Sequence, residues 1–151
     1  MNRRKSQTVL LVEDNPKDEL LTMRALKKSG LANKVQVVRD GAEALDYLFA
    51  KGEFSERDIT DLPNVVLLDL KLPKIDGLEV LRRIREDDRT KRIPVVILTS
   101  SDETKDMVAG YDLNVNSFVC KPVSFSDFSN AISQLGMYWL AINEVPAEEV
   151  E

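Results

Sequence analysis

Five short apolar runs punctuate the chain: Thr8–Val12, Val35–Val38, Val65–Leu68, Pro94–Leu98 and Ser117–Cys120. Most are continuous in Val, Leu and Ile, without the alternation of a half-exposed strand, so they predict strands buried on both faces of a sheet. Between them, apolar residues recur at helical spacing. Leu20, Met23, Ala25 and Leu26 follow Asn15-Pro16, an N-cap and first-turn proline, and run out at Gly30, a plausible stop. Asp40-Gly41-Ala42-Glu43 and Asp76-Gly77-Leu78-Glu79 both have the form of capping boxes. The helices they open carry Ala44, Leu45, Leu48 and Phe49, and then Leu78, Leu81 and Ile84, on their apolar sides. Asp102 caps a fourth helix containing Met107, Val108 and Tyr111. Ser124 or Ser126 opens the last helix, where Phe128, Ile132, Leu135 and Trp139 form one stripe.

Lys51 to Pro63 has no sustained period and reads as a long exposed loop, and Glu86 to Arg92 as a charged connector. Pro94 heads its strand, where no ladder donor is required. Strands alternating with helices five times predict an α/β fold, a doubly wound parallel sheet covered on both faces. Right-handed crossovers leave few topologies, and the ligand site of such a sheet lies beyond the carboxyl ends of its strands.

Length and composition narrow the chemistry. The 151 residues form one domain, 1–151, with a core over about 8–135 and a helix extension and acidic tail over 136–151. A net charge of -5 argues against a nucleic-acid partner. There is no histidine, which excludes His-based acid–base chemistry, Ser/His or Cys/His nucleophiles and His-ligated zinc or iron. Any metal must be a hard cation held by oxygen, Mg²⁺ or Mn²⁺. The lone Cys120 excludes an internal disulfide. With no apolar run of about 18 residues and no signal-peptide core, the expected location is cytoplasmic and off the membrane.

Glu13-Asp14, Asp69, Thr99-Ser100-Ser101 and Lys121 end four of the strands. Each has an ordinary alternative: acids beside a helix N-terminus, a strand-closing aspartate, a common strand threonine, a lysine snorkelling from the sheet rim. Together they have a chemical logic. Three converging carboxylates repel unless a cation joins them. Lys121 offers a point charge for a phosphoryl group and Thr99 a hydroxyl, while Asp69 is either a metal ligand or a nucleophile that forms an acyl phosphate.

Leu11-Val12-Glu13-Asp14-Asn15, Leu68-Asp69-Leu70-Lys71-Leu72-Pro73 with Asp76-Gly77, Leu98-Thr99-Ser100 and Phe118-Val119-Cys120-Lys121-Pro122 resemble the receiver domains of two-component response regulators, in order and spacing, over Thr8 to Leu135. The resemblance implies a flavodoxin-like (βα)5 sheet of strand order 2-1-3-4-5. It also implies that Asp69 takes a phosphoryl group from a histidine kinase. Asp14, Asp69 and the backbone carbonyl of Lys71 would ligate Mg²⁺, or Mn²⁺, with Glu13 acting through a water. Lys121 would pair with the phosphoryl oxygens, Thr99 would move to bond them, and Phe118 would turn inward as the aromatic switch. Lys121-Pro122 becomes a cis-peptide candidate. Lys71 and Ser101 resemble positions that tune phosphoryl lifetime.

The long loop before the third strand and the Trp139-containing tail are similar to stand-alone regulators paired with cyanobacterial and bacterial phytochrome kinases. Output would then be a protein contact or a phosphoryl relay. The apolar patch from Leu135 to Pro146 either folds back as extra core or forms a homodimer or partner surface with the fourth helix, fifth strand and last helix. A protein of this kind is no enzyme beyond its own phosphorylation and dephosphorylation. Competing readings are a receiver-like scaffold that takes no phosphate and a phosphatase of the haloacid-dehalogenase type. The phosphatase would want a second acid where Lys71 stands. A nucleotide- or flavin-binding module would want a Gly-rich loop, whereas the six glycines are scattered.

Overall fold

A computed structural model of the chain describes residues 8–30, 34–100 and 113–135. Five parallel strands, β1 (Val9–Val12), β2 (Val35–Val38), β3 (Val65–Asp69), β4 (Val95–Thr99) and β5 (Ser117–Cys120), form one sheet in the order β2-β1-β3-β4-β5. The described helices are α1 (Pro16–Lys28), α2 (Gly41–Phe49), α3 (Gly77–Glu86) and a C-terminal helix (Phe125–Leu135). This is the flavodoxin-like order that the resemblance implied. The fourth helix expected from Asp102, Ser101 and the extension over 136–151 lie outside the described residues.

Strand alternation divides the core in two. Leu10, Val12, Val66, Leu68, Val95 and Ile97 face α2 and α3, whereas Val9, Leu11, Val65, Leu67, Val96 and Leu98 face α1 and the C-terminal helix. Because every residue of β1, β3 and β4 is buried, neither face alternates with solvent, and the runs read as continuous.

The helix starts follow from side-chain caps. Asn15 Oδ1 accepts from the backbone N–H groups of Lys17 (2.9 Å) and Asp18 (3.1 Å). Both expected capping boxes are only half formed. Asp40 and Asp76 accept from the N–H groups of Glu43 and Glu79. Glu43, however, reaches back one residue further, to the N–H of Arg39 at 2.9 Å, and Glu79 turns outward to Arg82 and Arg83. The arginines outbid the backbone because a charge-assisted pair is stronger than a bond to one amide. Of the two serines at the last helix, Ser124 is the cap, accepting from Asp127 N–H at 3.1 Å.

The stretch expected as an exposed loop over Lys51 to Pro63 is ordered against α2. Gly52–Phe54 forms a 3₁₀ turn, and Phe54 meets Tyr47 edge-on at 5.1 Å between ring centroids. Arg57 lies over the Tyr47 ring and donates to the carbonyls of Tyr47 and Asp61 at 2.9 and 3.0 Å. One half-buried arginine replaces the periodic apolar face that the sequence lacks. Arg85 does similar work on α3, donating to the carbonyls of Lys91, Ile93, Leu113 and Asn114 at 2.8–3.0 Å.

Candidate functional site

Register sets which residues meet. Val12 pairs with both Val38 and Leu68, so Glu13 and Asp69 leave adjacent strands side by side. Thr99 pairs with Cys120, and the Lys121 N–H donates to the Thr99 carbonyl at 2.8 Å, which brings the lysine to the same sheet edge. Asp14, Asp18, Asp69, Lys71 and Lys121 line one open cleft of about 640 Å³. Lys121-Pro122 is a cis peptide.

The loops behind the cleft are tightly held. The Lys71 N–H donates to Asp69 Oδ1 at 3.2 Å, orienting the carboxylate, and Gly77 N–H donates to the Leu70 carbonyl at 2.9 Å. The structure places Thr99 buried at the end of β4 and Phe118 half-buried on β5 against the α2–α3 side of the core.

Three carboxylates gather here. Glu13, Asp14 and Asp69 each present an oxygen within 4.8 Å of the others. Asp14 is exposed, Asp69 is 5% exposed and Glu13 is fully buried. The Lys121 ammonium answers them, with Nζ 3.0 Å from Asp69 Oδ2 and 3.0 Å from Glu13 Oε1. A further acid, Asp18 of α1, stands 3.0 Å from the same nitrogen. Sequence reading passed over it, because an acid in the first turn of a helix is ordinary.

The charges shift one another. Burial and the negative charge of Asp69 push the Glu13 carboxyl up to about 7, against the pull of Lys121. Burial works against the Lys121 charge, but Asp18, Asp69 and Glu13 outweigh it and hold the ammonium above its usual range.

The donors fit a hard divalent cation. All are carboxylate oxygens, and Glu13 Oε1 is buried without a well-directed hydrogen-bond donor despite the nearby ammonium. Mg²⁺ takes one or two carboxylates and keeps water, so an open cleft with one exposed acid suits it. Among the described residues, this is the only acidic cluster of that kind.

Comparison with known proteins gives a consistent picture. Residues 9–133 match the response regulator receiver domain. The chain is 43% identical to the probable methanogenesis regulatory protein FilR2 of Methanothrix harundinacea, over 91% of this chain and 86% of that one. It is 38% identical to the response regulator Rcp1 of Synechocystis, over 93% and 94%. Among solved structures, the bacteriophytochrome response regulator RtBRR superposes with a TM-score of 0.85 at 52% identity, covering 91% of this chain and 82% of that one. A structure of Rcp1 in its Mn²⁺-bound form superposes with a TM-score of 0.70 at 36% identity, over 93% and 97%.

Proposed function

This chain belongs to the response regulator receiver domain family, which accepts phosphoryl groups from histidine kinases in two-component signalling, and we propose that Asp69 is its phosphoacceptor. The observation that carries the reading is the Asp69 carboxylate in the cleft with the Lys121 ammonium 3.0 Å away and two further acids within 4.8 Å. An Asp69 oxygen attacks the phosphorus of a phosphohistidine; the P–O bond forms as the P–N bond breaks, and the leaving imidazole takes up a proton. Asp14, Asp69, the Lys71 carbonyl and, through a water, Glu13 hold Mg²⁺, or Mn²⁺ in its place. The ion supplies positive charge for the phosphoryl oxygens. Lys121 supplies a second charge, while the hydroxyl of Thr99 turns to the new group and Phe118 follows inward. An added phosphoryl of nearly two negative charges thereby biases a two-state loop.

The chain acts as one domain over 1–151 and catalyses nothing beyond its own phosphorylation and dephosphorylation. RtBRR and Rcp1 support a phytochrome histidine kinase as donor, because one is named for bacteriophytochrome and both match across most of their length. FilR2, matched at 43% identity, is named for the regulation of methanogenesis and not for phytochrome. The reading places the protein in the cytoplasm with its kinase; among the described residues no helix is long and apolar enough to cross a membrane. A homodimer through β5 and the C-terminal helix would be the output surface.

Incubation with acetyl phosphate and Mg²⁺ should add one phosphoryl by intact mass, lost in Asp69→Asn. No addition to the wild type would refute the reading. Phosphotransfer profiling against candidate kinases tests the donor, and sedimentation with and without beryllofluoride tests the dimer.

A further inference from the structure

Two cations need the same acids in this cleft. Glu13 and Asp69 belong to the carboxylate cluster that suits a divalent ion, and both also hold Lys121. A metal drawn to those oxygens weakens their grip on the ammonium and repels it directly. Without another anchor, Lys121 must either exclude the metal or leave the cleft.

Asp18 is placed to be that anchor. Its Oδ2 lies 3.0 Å from Lys121 Nζ, yet it is not one of the three clustered acids. An acid at the third helical position would ordinarily fold back to the N–H of the cap residue. Here the Asn15 N–H already donates to Glu13 Oε2 at 3.3 Å. The Asp18 backbone is pinned by Asn15 Oδ1, so its carboxylate is left to face the lysine. Lys121 Nζ donates to Glu13 Oε2 at 3.1 Å and to Asp69 Oδ2 at 3.0 Å, and of the acids paired with it only Asp18, 3.0 Å away, lies outside the metal cluster.

We propose that Asp18 is a positioning residue, holding Lys121 at the cleft while a divalent ion occupies Glu13, Asp14 and Asp69. The role rests on the proposed reading of the site, which supplies the reason for both cations to be present. Lys121 would then face the incoming phosphoryl group without competing for the metal. The alternative is that Asp18 merely favours the α1 dipole or adds general negative charge to the metal site.

A double-mutant cycle on Mg²⁺ affinity, read by calorimetry with the full chain, separates these roles. Asp18→Asn should weaken Mg²⁺ binding about fivefold when Lys121 is present, since the ammonium falls back on Glu13 and Asp69. In a Lys121→Met background the same change should cost less than about twofold, the part due to screened charge alone. Asp18→Glu, which keeps the carboxylate, should recover most of the loss. Equal losses in the two backgrounds, or no loss in either, would overturn the proposal. The Mg²⁺ titration reads Asp18 whether or not phosphorylation occurs, so a failed acetyl phosphate reaction would reject the phosphoacceptor reading separately. Where uptake does occur, Asp18→Asn should raise the acetyl phosphate concentration for half-maximal rate by about threefold to tenfold at saturating Mg²⁺, again only with Lys121 present.

Discussion

Gly77 packs so closely on Asp69 that a Cβ at Gly77 would lie 2.4 Å from the Asp69 carbonyl oxygen and 2.5 Å from Leu70 Cα. Both obstacles are backbone, which cannot turn aside as a flexible side chain would. The first turn of α3 therefore rests on the backbone of the proposed phosphoacceptor itself. Gly77→Ala should force the helix and strand apart, costing about 1–3 kcal/mol as overpacking does. Urea denaturation would measure that, and phosphoryl uptake should slow in the same variant at temperatures where it remains folded. An Ala variant as stable and as active as wild type would contradict the packing.

Stability in the metal-free protein should fall as pH rises from about 4.5 to 7 on account of Glu13. Its carboxyl is raised to about 7 in the folded chain, against 4.5 for the group in isolation. The native state thus binds a proton that the unfolded state releases, and stability decreases through that window. Lys121 stays charged in both states there, because its raised range lies well above it. Glu13→Gln should flatten the urea-midpoint profile measured in the absence of divalent ion between about pH 4.5 and 7. A profile identical to wild type would show that Glu13 does not titrate there.

Removing divalent ion should cost stability at pH 7.5. A ligand that binds only the native state, at a hundred times its dissociation constant, contributes about 2.7 kcal/mol. Thermal melts with Mg²⁺ and with EDTA should differ for the wild type and converge for Asp14→Asn, which removes the one exposed acid of the cluster. The pH dependence follows the same chemistry: protonating Glu13 competes with the metal, so the Mg²⁺-induced shift should shrink below pH 7.

Arg85→Ala should be among the costlier changes outside the cleft. The guanidinium donates to four backbone carbonyls, two of them on the approach to β5, and burial pulls its pKa below the usual range without discharging it. Hydrogen bonds to a charged donor are worth about 1.5–3 kcal/mol each in net terms, and the loss is expected near the size of one such bond after water replaces the rest. Chemical denaturation reads the cost. Slowed phosphoryl uptake with little loss of stability would instead place Arg85 in the path from α3 to β5.

The central strands β1, β3 and β4 were legible because each is buried on both faces and therefore apolar without interruption, whereas the edge strands β2 and β5 are only partly buried, with Gln36 and Ser117 breaking their apolar runs. The helix starts were legible through Asn15, Asp40 and Asp76, whose side chains satisfy backbone groups only a few residues away. Convergence of strand ends follows from the doubly wound pattern, which by itself puts Glu13, Asp14, Asp69 and Lys121 at one edge of the sheet. Contacts between distant side chains were not legible. Arg57 ordering an aperiodic loop, Glu79 turning from its cap to Arg82 and Arg83, and Asp18 meeting a lysine more than a hundred residues later depend on where rotamers end once the layers have packed. Sequence determines which backbone elements form, because propensity, caps and burial act locally; the tertiary structure decides which charges become partners, because that depends on distances of a few ångströms between residues far apart in the chain.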